Sequence, residues 1–346
     1  MKSMVLTGIN TMELREQPSP EITNDTEVLI ALSSVGVCGS DIHYYETGRI
    51  GSQVVEYPFR VGHECSGVIE EVGSAVSHVA VGDRVAIDPA MPCYECDQCL
   101  AGRYHTCRNL GFLGTPGQAE GCLCERIVMP EWSCFKADTL SFDEAAFAEP
   151  LSIGVYAVKK SIPMVNARGA ILGSGPIGLC VLLPALAAGA ERIYMTDKID
   201  ERCDRARSAG AHWVGNPDQC DIAKAIGEQE PLGLDVVFEC CGDQDALDQA
   251  IDILKPGGKL VVVGIPREER VSFCIDKLRR KEILVQNIRR QVDCVEPACA
   301  MIAEKKVDVM PLITHRFPFE ETIDAFEFVK GYKDGVIKAM IEFQTK

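Results

Sequence analysis

At 346 residues the chain is long enough for two domains with sizeable cores. Its net charge of −16 argues against nucleic acid or an anionic membrane surface as a partner. Neither an N-terminal apolar leader nor an apolar run of spanning length is present, and the seventeen cysteines are odd in number and scattered; both point to a reducing cytoplasm.

The first 150 or so residues read as short strands and turns. "TEVLIAL" and "RVAI" are β-like, and glycine pairs punctuate the stretch, which predicts an antiparallel, barrel-like β domain. Within it lies "CYECDQCLAGRYHTC", with cysteines at 93, 96, 99 and 107. Four thiolates this close repel one another unless a cation holds them, and zinc takes four sulfurs as a tetrahedron. Such a shell leaves no position for a substrate, so Cys93, Cys96, Cys99 and Cys107 are expected to hold a structural zinc. An iron–sulfur cluster is the alternative use of four cysteines.

Near residue 150 the texture changes. "LSIGVYAVKKS" has helical apolar spacing. The segment "GAILGSGPIGLCVLLPALAAGAERIYMTD" then reads strand, glycine turn, helix, strand. "LDVVFECCG" and "GGKLVVVGIP" are near-continuous apolar runs of the kind buried in a parallel sheet, with helical stretches between them. Alternating β and α predicts a doubly wound α/β sheet. After about residue 290 mixed elements return, and "FPFEETIDAFEFVKG" reads as a helix. The expected organisation is one domain interrupted by another: 1–152 with 290–346, and 153–289.

The glycine turn is Gly173-Ser-Gly175-Pro176-Ile177-Gly178, a G-x-G-x-x-G between a strand and a helix. Asp197 ends the next strand nineteen residues after Gly178. The first glycine permits the tight turn and the second lets backbone approach a pyrophosphate. The third allows close helix–strand packing, and the helix N-terminus offers amide donors to the phosphates. Asp197 can accept two ribose hydroxyls, and its charge opposes a 2′-phosphate. That favours NAD over NADP, with Lys198 tempering the preference. Arg202 is a candidate to flank the adenine ribose.

A second, open metal set is composed of Cys38 in "GVCGSDIHYY", His63 in "VGHE", and a carboxylate from Glu64 or Glu149. Sulfur, nitrogen and oxygen ligands with one position left over suit catalysis. Spacing alone does not assemble this set; a family resemblance does. The motifs "GVCGSDIHYYETGRIG", "GHECSG", "VGDRVAI", "AEPLSIGVYA", "GSGPIG" and "THRFPFE", with the four-cysteine lobe, run in order through nearly the whole chain. In these the chain resembles the zinc-dependent medium-chain dehydrogenases, and most the polyol branch with sorbitol and xylitol dehydrogenases.

The resemblance implies a GroES-like, β-rich catalytic domain plus a Rossmann-type NAD-binding domain. It implies a catalytic zinc at Cys38, His63 and Glu149, with Glu64 a direct ligand or a neighbour that exchanges with water. A cysteine at 149 would point instead to the alcohol dehydrogenase branch. By the same resemblance Asp41 orients His63, Ser40 and His43 relay the proton, and Tyr44, Phe112, Thr115 and Arg289 surround the substrate. The implied reaction is oxidation of a polyol to a ketose with hydride transfer to NAD+, in a cytoplasmic homotetramer or dimer with two zinc ions per chain. One departure is Arg290, where sorbitol dehydrogenases usually carry a tyrosine; it opens the alternative of a sugar-acid substrate. L-Threonine 3-dehydrogenation on the same fold is another alternative. A non-enzymatic zinc protein that binds NAD is the remote one.

Overall fold

The strand Glu27–Gly36 carries "EVLIALSSVG", apolar on nearly every residue rather than on alternate ones, and it is covered on both faces. The computed structural model, which describes residues 1–266 and 268–343, places this strand at the centre of a seven-stranded sheet. On one side it pairs with Glu64–Val72, which leads to Arg84–Ile87 and Cys134–Lys136. On the other it pairs with Lys338–Glu342, which leads to Ile313–Pro318, while Arg126–Pro130 also pairs with it. All pairings are antiparallel except Ile313–Pro318 with Lys338–Glu342. The apolar side chains gather into one core that includes Ile30, Val35, Ile69, Val85, Leu123 and Ile341.

The chain forms two compact units, Met1–Glu149 with Val295–Lys346, and Pro150–Cys294. The helix "FDEAAFAEPLSIGVYAVKK" begins at Phe142, earlier than its apolar spacing alone indicated, and runs to Lys160. "FPFEETIDAFEFVKG" is α-helical only over Thr322–Lys330, preceded by a 3-10 turn at Phe319–Glu321, because Phe317 and Pro318 still belong to a strand.

In the second unit six parallel strands lie in the spatial order Trp213–Gly215, Arg192–Thr196, Arg168–Leu172, Leu234–Glu239, Leu254–Val262, Leu284–Asn287. Numbered along the chain this order is 3-2-1-4-5-6. The direction of winding reverses between the first strand, Arg168–Leu172, and the fourth, Leu234–Glu239. Ligands of such sheets bind outside the carboxyl ends of the strands at that reversal. The sheet core gathers Ala170, Leu172, Tyr194, Val237 and Leu260 with Leu247 and Ala250 from the helix Gln244–Ile253. Among the described residues no helix is long and apolar enough to cross a membrane.

Candidate metal centres and dinucleotide loop

Cys38 sits where the central strand gives way to the helix Gly39–Thr47, as its N-cap. The third helical residue, Asp41, turns back so that Oδ2 accepts the Cys38 amide at 3.1 Å. Its Oδ1 accepts the Gly62 amide at 3.0 Å and lies 3.4 Å from Nδ1 of His63. One buried carboxylate therefore braces both the Cys38 turn and the His63 segment. Binding at Nδ1 fixes the imidazole so that its other nitrogen is the one available to a metal. Ser40 donates its hydroxyl to the Cys38 sulfur at 3.3 Å. His43 stands one helical turn further along, its carbonyl taken by the Thr47 hydroxyl.

His63 leads directly into the strand that begins at Glu64. The ligand atoms of Cys38, His63 and Glu64 all lie within 4.8 Å of one another. Burial works against a charged His63, but the Asp41 carboxylate and Cys38 outweigh it and hold the imidazole well above its ordinary pKa. Glu149, on the long helix, is buried and electrostatically coupled to His63 and Glu64 but is not in that tight group. Burial pushes its carboxyl up to about 8.

The feature that sequence reading missed is Lys338. It is 2% exposed, and its ammonium meets both Glu64 oxygens at 2.5 and 2.7 Å and the Val37 carbonyl at 3.2 Å. Glu64 stands opposite Gly36 on one side of the central strand, and Lys338 arrives from the strand on the other side. A Cβ on Gly36 would collide with Oε2 of Glu64, so the glycine opens the passage through which the two charges meet. The signal was a lone lysine in the apolar run "VIKAMI".

Phe112 packs near the site, its ring 5.6 Å from that of His63. Thr115 is buried just beyond Gly114, where a Cβ would press on Gly62. Tyr44 is buried on the same helix as Ser40, with its hydroxyl donated to Gln53 at 3.2 Å. Arg289 belongs to the second unit, just past the strand Leu284–Asn287, and is exposed there; Arg290 follows with a left-handed φ of 53°.

The four cysteines converge. Their sulfurs stand 3.6 Å apart for 96 and 99, 3.9 Å for 96 and 107, 3.4 Å for 93 and 107, and 4.0 Å for 93 and 99. A tetrahedron of sulfurs about 2.3 Å from one zinc ion has edges of about 3.8 Å, so the donor set fits a single ion. Amides of Arg108 and Cys99 push the Cys96 thiol down to about 6, whereas burial pushes Cys99 up to about 12. Metal binding is what brings all four to the thiolate.

In the second unit the helix Pro176–Ala187 starts directly from the loop, with Gly175 as N-cap and Pro176 where no amide is needed. Ile177 follows in the first turn. Gly173 has φ 103°, and a Cβ on Gly178 would run into the Gly173 carbonyl. The cradle is thus shaped for backbone approach and fits a dinucleotide's pyrophosphate. Asp197 closes the loop from the neighbouring strand, Oδ2 accepting the Ser174 amide at 2.8 Å and Oδ1 the Ile199 amide at 2.9 Å. Lys198 is engaged by Asp243 at 3.2 Å, and Arg202 reaches toward Gly175.

Comparison with known proteins agrees with this geometry. Residues 24–139 match the family "Alcohol dehydrogenase GroES-like domain", and residues 176–304 match the family "Zinc-binding dehydrogenase". The sorbitol dehydrogenase of Bacillus subtilis is 36% identical over 99% of this chain and 97% of its own length. The human sorbitol dehydrogenase is 37% identical over 95% and 93%. A Sinorhizobium meliloti protein solved with NADP bound superposes with a TM-score of 0.91 at 28% identity, covering 99% of this chain and 98% of that one.

Proposed function

Because the chain belongs to the zinc-dependent medium-chain dehydrogenases, in their sorbitol dehydrogenase branch, we propose that it oxidises a secondary hydroxyl of a polyol to a ketone with a nicotinamide cofactor as hydride acceptor. The observation that carries this reading is the contrast between two donor sets. The four-thiol set is closed, while Cys38, His63 and Glu64 offer a metal three ligands of different chemistry and leave room for a substrate oxygen. When bound there, zinc supplies Lewis-acid polarisation that lowers the pKa of a hydroxyl.

The chain's own residues do the rest. Asp41 fixes the tautomer and direction of His63. Lys338 holds the Glu64 side chain beside the metal position, from which it can exchange between its ammonium partner and the metal. Glu149, buried on the helix, is the other candidate carboxylate ligand of this metal. Ser40, next to the Cys38 sulfur, and His43, one turn on, are the residues to carry the hydroxyl proton outward. Tyr44, Phe112 and Thr115 line the polyol. The second unit holds the cofactor through Gly173, Gly175, Pro176, Ile177 and Gly178 at the pyrophosphate, with Arg202 beside the ribose. Asp197 selects NAD, because a 2′-phosphate would meet its carboxylate while Lys198 is turned to Asp243. The reading also carries two zinc ions per chain and a cytoplasmic homotetramer or dimer.

The test is an initial-rate screen of D-sorbitol, xylitol, galactitol, L-arabinitol, L-threonine and aldonates with NAD+ and NADP+. Turnover of alditols at least tenfold faster with NAD+ is the expected result. Activity confined to threonine or aldonates would keep the mechanism and overturn the polyol class. Preference for NADP+ would overturn the role given to Asp197.

A further inference from the structure

Glu239 ends the fourth strand of the parallel sheet, in register with Leu172, the last residue before the glycine loop. It therefore stands at the winding reversal, where this class of sheet binds its ligand. The side chain is fully buried. Its Oε1 accepts two amides at once, from Cys241 at 2.7 Å and from Gly242 at 2.5 Å. Its own carbonyl accepts the amides of Val263 and Gly264, which follow the next strand. Its Oε2 is enclosed and has no hydrogen-bond partner among the described residues. A Cβ on Gly264 would stand 2.8 Å from that oxygen.

A residue that only filled this space would be apolar, since a buried polar atom without a partner costs stability. What the carboxyl accomplishes is the grip on residues 241 and 242. That turn is held with Gly242 at φ 71°, a conformation that leaves two consecutive amides pointing inward at one acceptor. The turn is also the floor of the glycine loop. A Cβ on Gly173 would be 3.0 Å from Cys241 Cβ and 3.2 Å from the Cys240 carbonyl carbon, and the Cys240 amide bonds the Leu172 carbonyl at 2.8 Å. The same turn runs on into Asp243, which pairs with Lys198 beside Asp197. One carboxyl thus ties together the backbone on which the loop rests and the segment that leads to the ribose-facing pair.

We propose that Glu239 is a positioning residue for the dinucleotide: its Oε1 holds the 240–242 turn against the glycine loop and so sets the loop's affinity for cofactor. The inference rests on the nicotinamide-dinucleotide reading of this unit. It predicts that an acceptor in the Oε1 position is required and a charge is not.

The experiment titrates NADH fluorescence with wild type, Glu239→Gln, Glu239→Asp and Glu239→Ala, with melting temperature and zinc content measured alongside. Glu239→Gln keeps the acceptor and is expected to bind NADH within about threefold of wild type. Glu239→Asp, which retains the charge but withdraws the oxygen by one methylene, is expected to bind at least tenfold more weakly, as is Glu239→Ala. The cofactor KM should rise in parallel, with kcat at saturating cofactor within about twofold and zinc content unchanged. If Glu239→Ala is insoluble, the Asp and Gln pair decides alone. Asp or Ala variants that melt lower but bind NADH like wild type would overturn the inference and leave Glu239 a packing residue. Gln weakened as much as Asp would overturn the acceptor argument. Wild type that binds neither NADH nor NADPH would overturn the cofactor reading and the inference with it.

Discussion

Glu64 and Lys338 form an ion pair that is closed to water on all sides, and its two charges are worth unequal things to folding and to chemistry. Removing one partner leaves the other buried and uncompensated, a loss of about 3–5 kcal/mol. Lys338→Met is therefore expected to lower stability by that amount in urea unfolding. The double variant Glu64→Leu with Lys338→Met is expected to recover most of it, because an apolar pair needs no charge balance. The double variant should turn over polyol at no more than about a hundredth of the wild-type rate, since it has no Glu64 carboxylate beside Cys38 and His63. A double variant as unstable as Lys338→Met would show that the unpaired Glu64 charge is not the cause of the loss. Cys38, His63 and Glu64 could be named together from the sequence only through the family resemblance, since each residue taken alone has an ordinary structural use. Lys338 was not legible: its meaning depends on a partner 274 positions away and on the absent side chain of Gly36.

At the scale of elements, the four-cysteine lobe and the glycine loop are each written in one short stretch of chain. Their spacing carries nearly all their geometry, which is why both could be read before any fold was known. The helix Asp97–Leu100 inside the lobe is one turn long and brings Cys96 and Cys99 to the same side. So small a lobe has little apolar core of its own, and a metal held by its four sulfurs would supply stability. Cys107→Ser is expected to cost one zinc equivalent by metal analysis and to lower the melting temperature by several degrees. The turnover of the remaining folded, zinc-loaded enzyme should stay within about threefold. A variant that loses both zinc equivalents would mean the two centres are not separate. Element ends were less legible than element types. The helix beginning at Phe142 starts eight residues before Pro150, and the chain after "AIDI" passes straight into a strand at Leu254 despite its "KPGG". Burial and pairing with a neighbouring strand decided these, and neither is local.

For the molecule as a whole, metal and pH are linked through Glu149. Burial holds its carboxyl up to about 8 against an ordinary value of 4.5. A raised carboxyl keeps its proton in the folded state while the unfolded chain ionises. The stability it allows is full below about pH 4.5 and is lost as pH rises toward 8. The slope from this one group is at most about 1.4 kcal/mol per pH unit. After chelation, wild type is expected to lose stability relative to Glu149→Gln between pH 5 and 8 in urea unfolding. Reloading with zinc should remove that difference, because a cation beside the site favours the carboxylate. A gap that does not change with pH in the chelated proteins would show that Glu149 is not held protonated.

The sequence by itself determined the two domain textures, the closed thiol set, the glycine loop and the acid Asp197 at the end of the next strand, since each is encoded by residue type and short spacing. Only the tertiary structure decided that Glu64 is held by Lys338 across a glycine gap. Only it decided that Asp41 braces both metal-facing segments, and that Glu239 lies under the cofactor loop. These depend on strand order and burial, which bring distant residues into contact and change what a carboxyl or an ammonium costs.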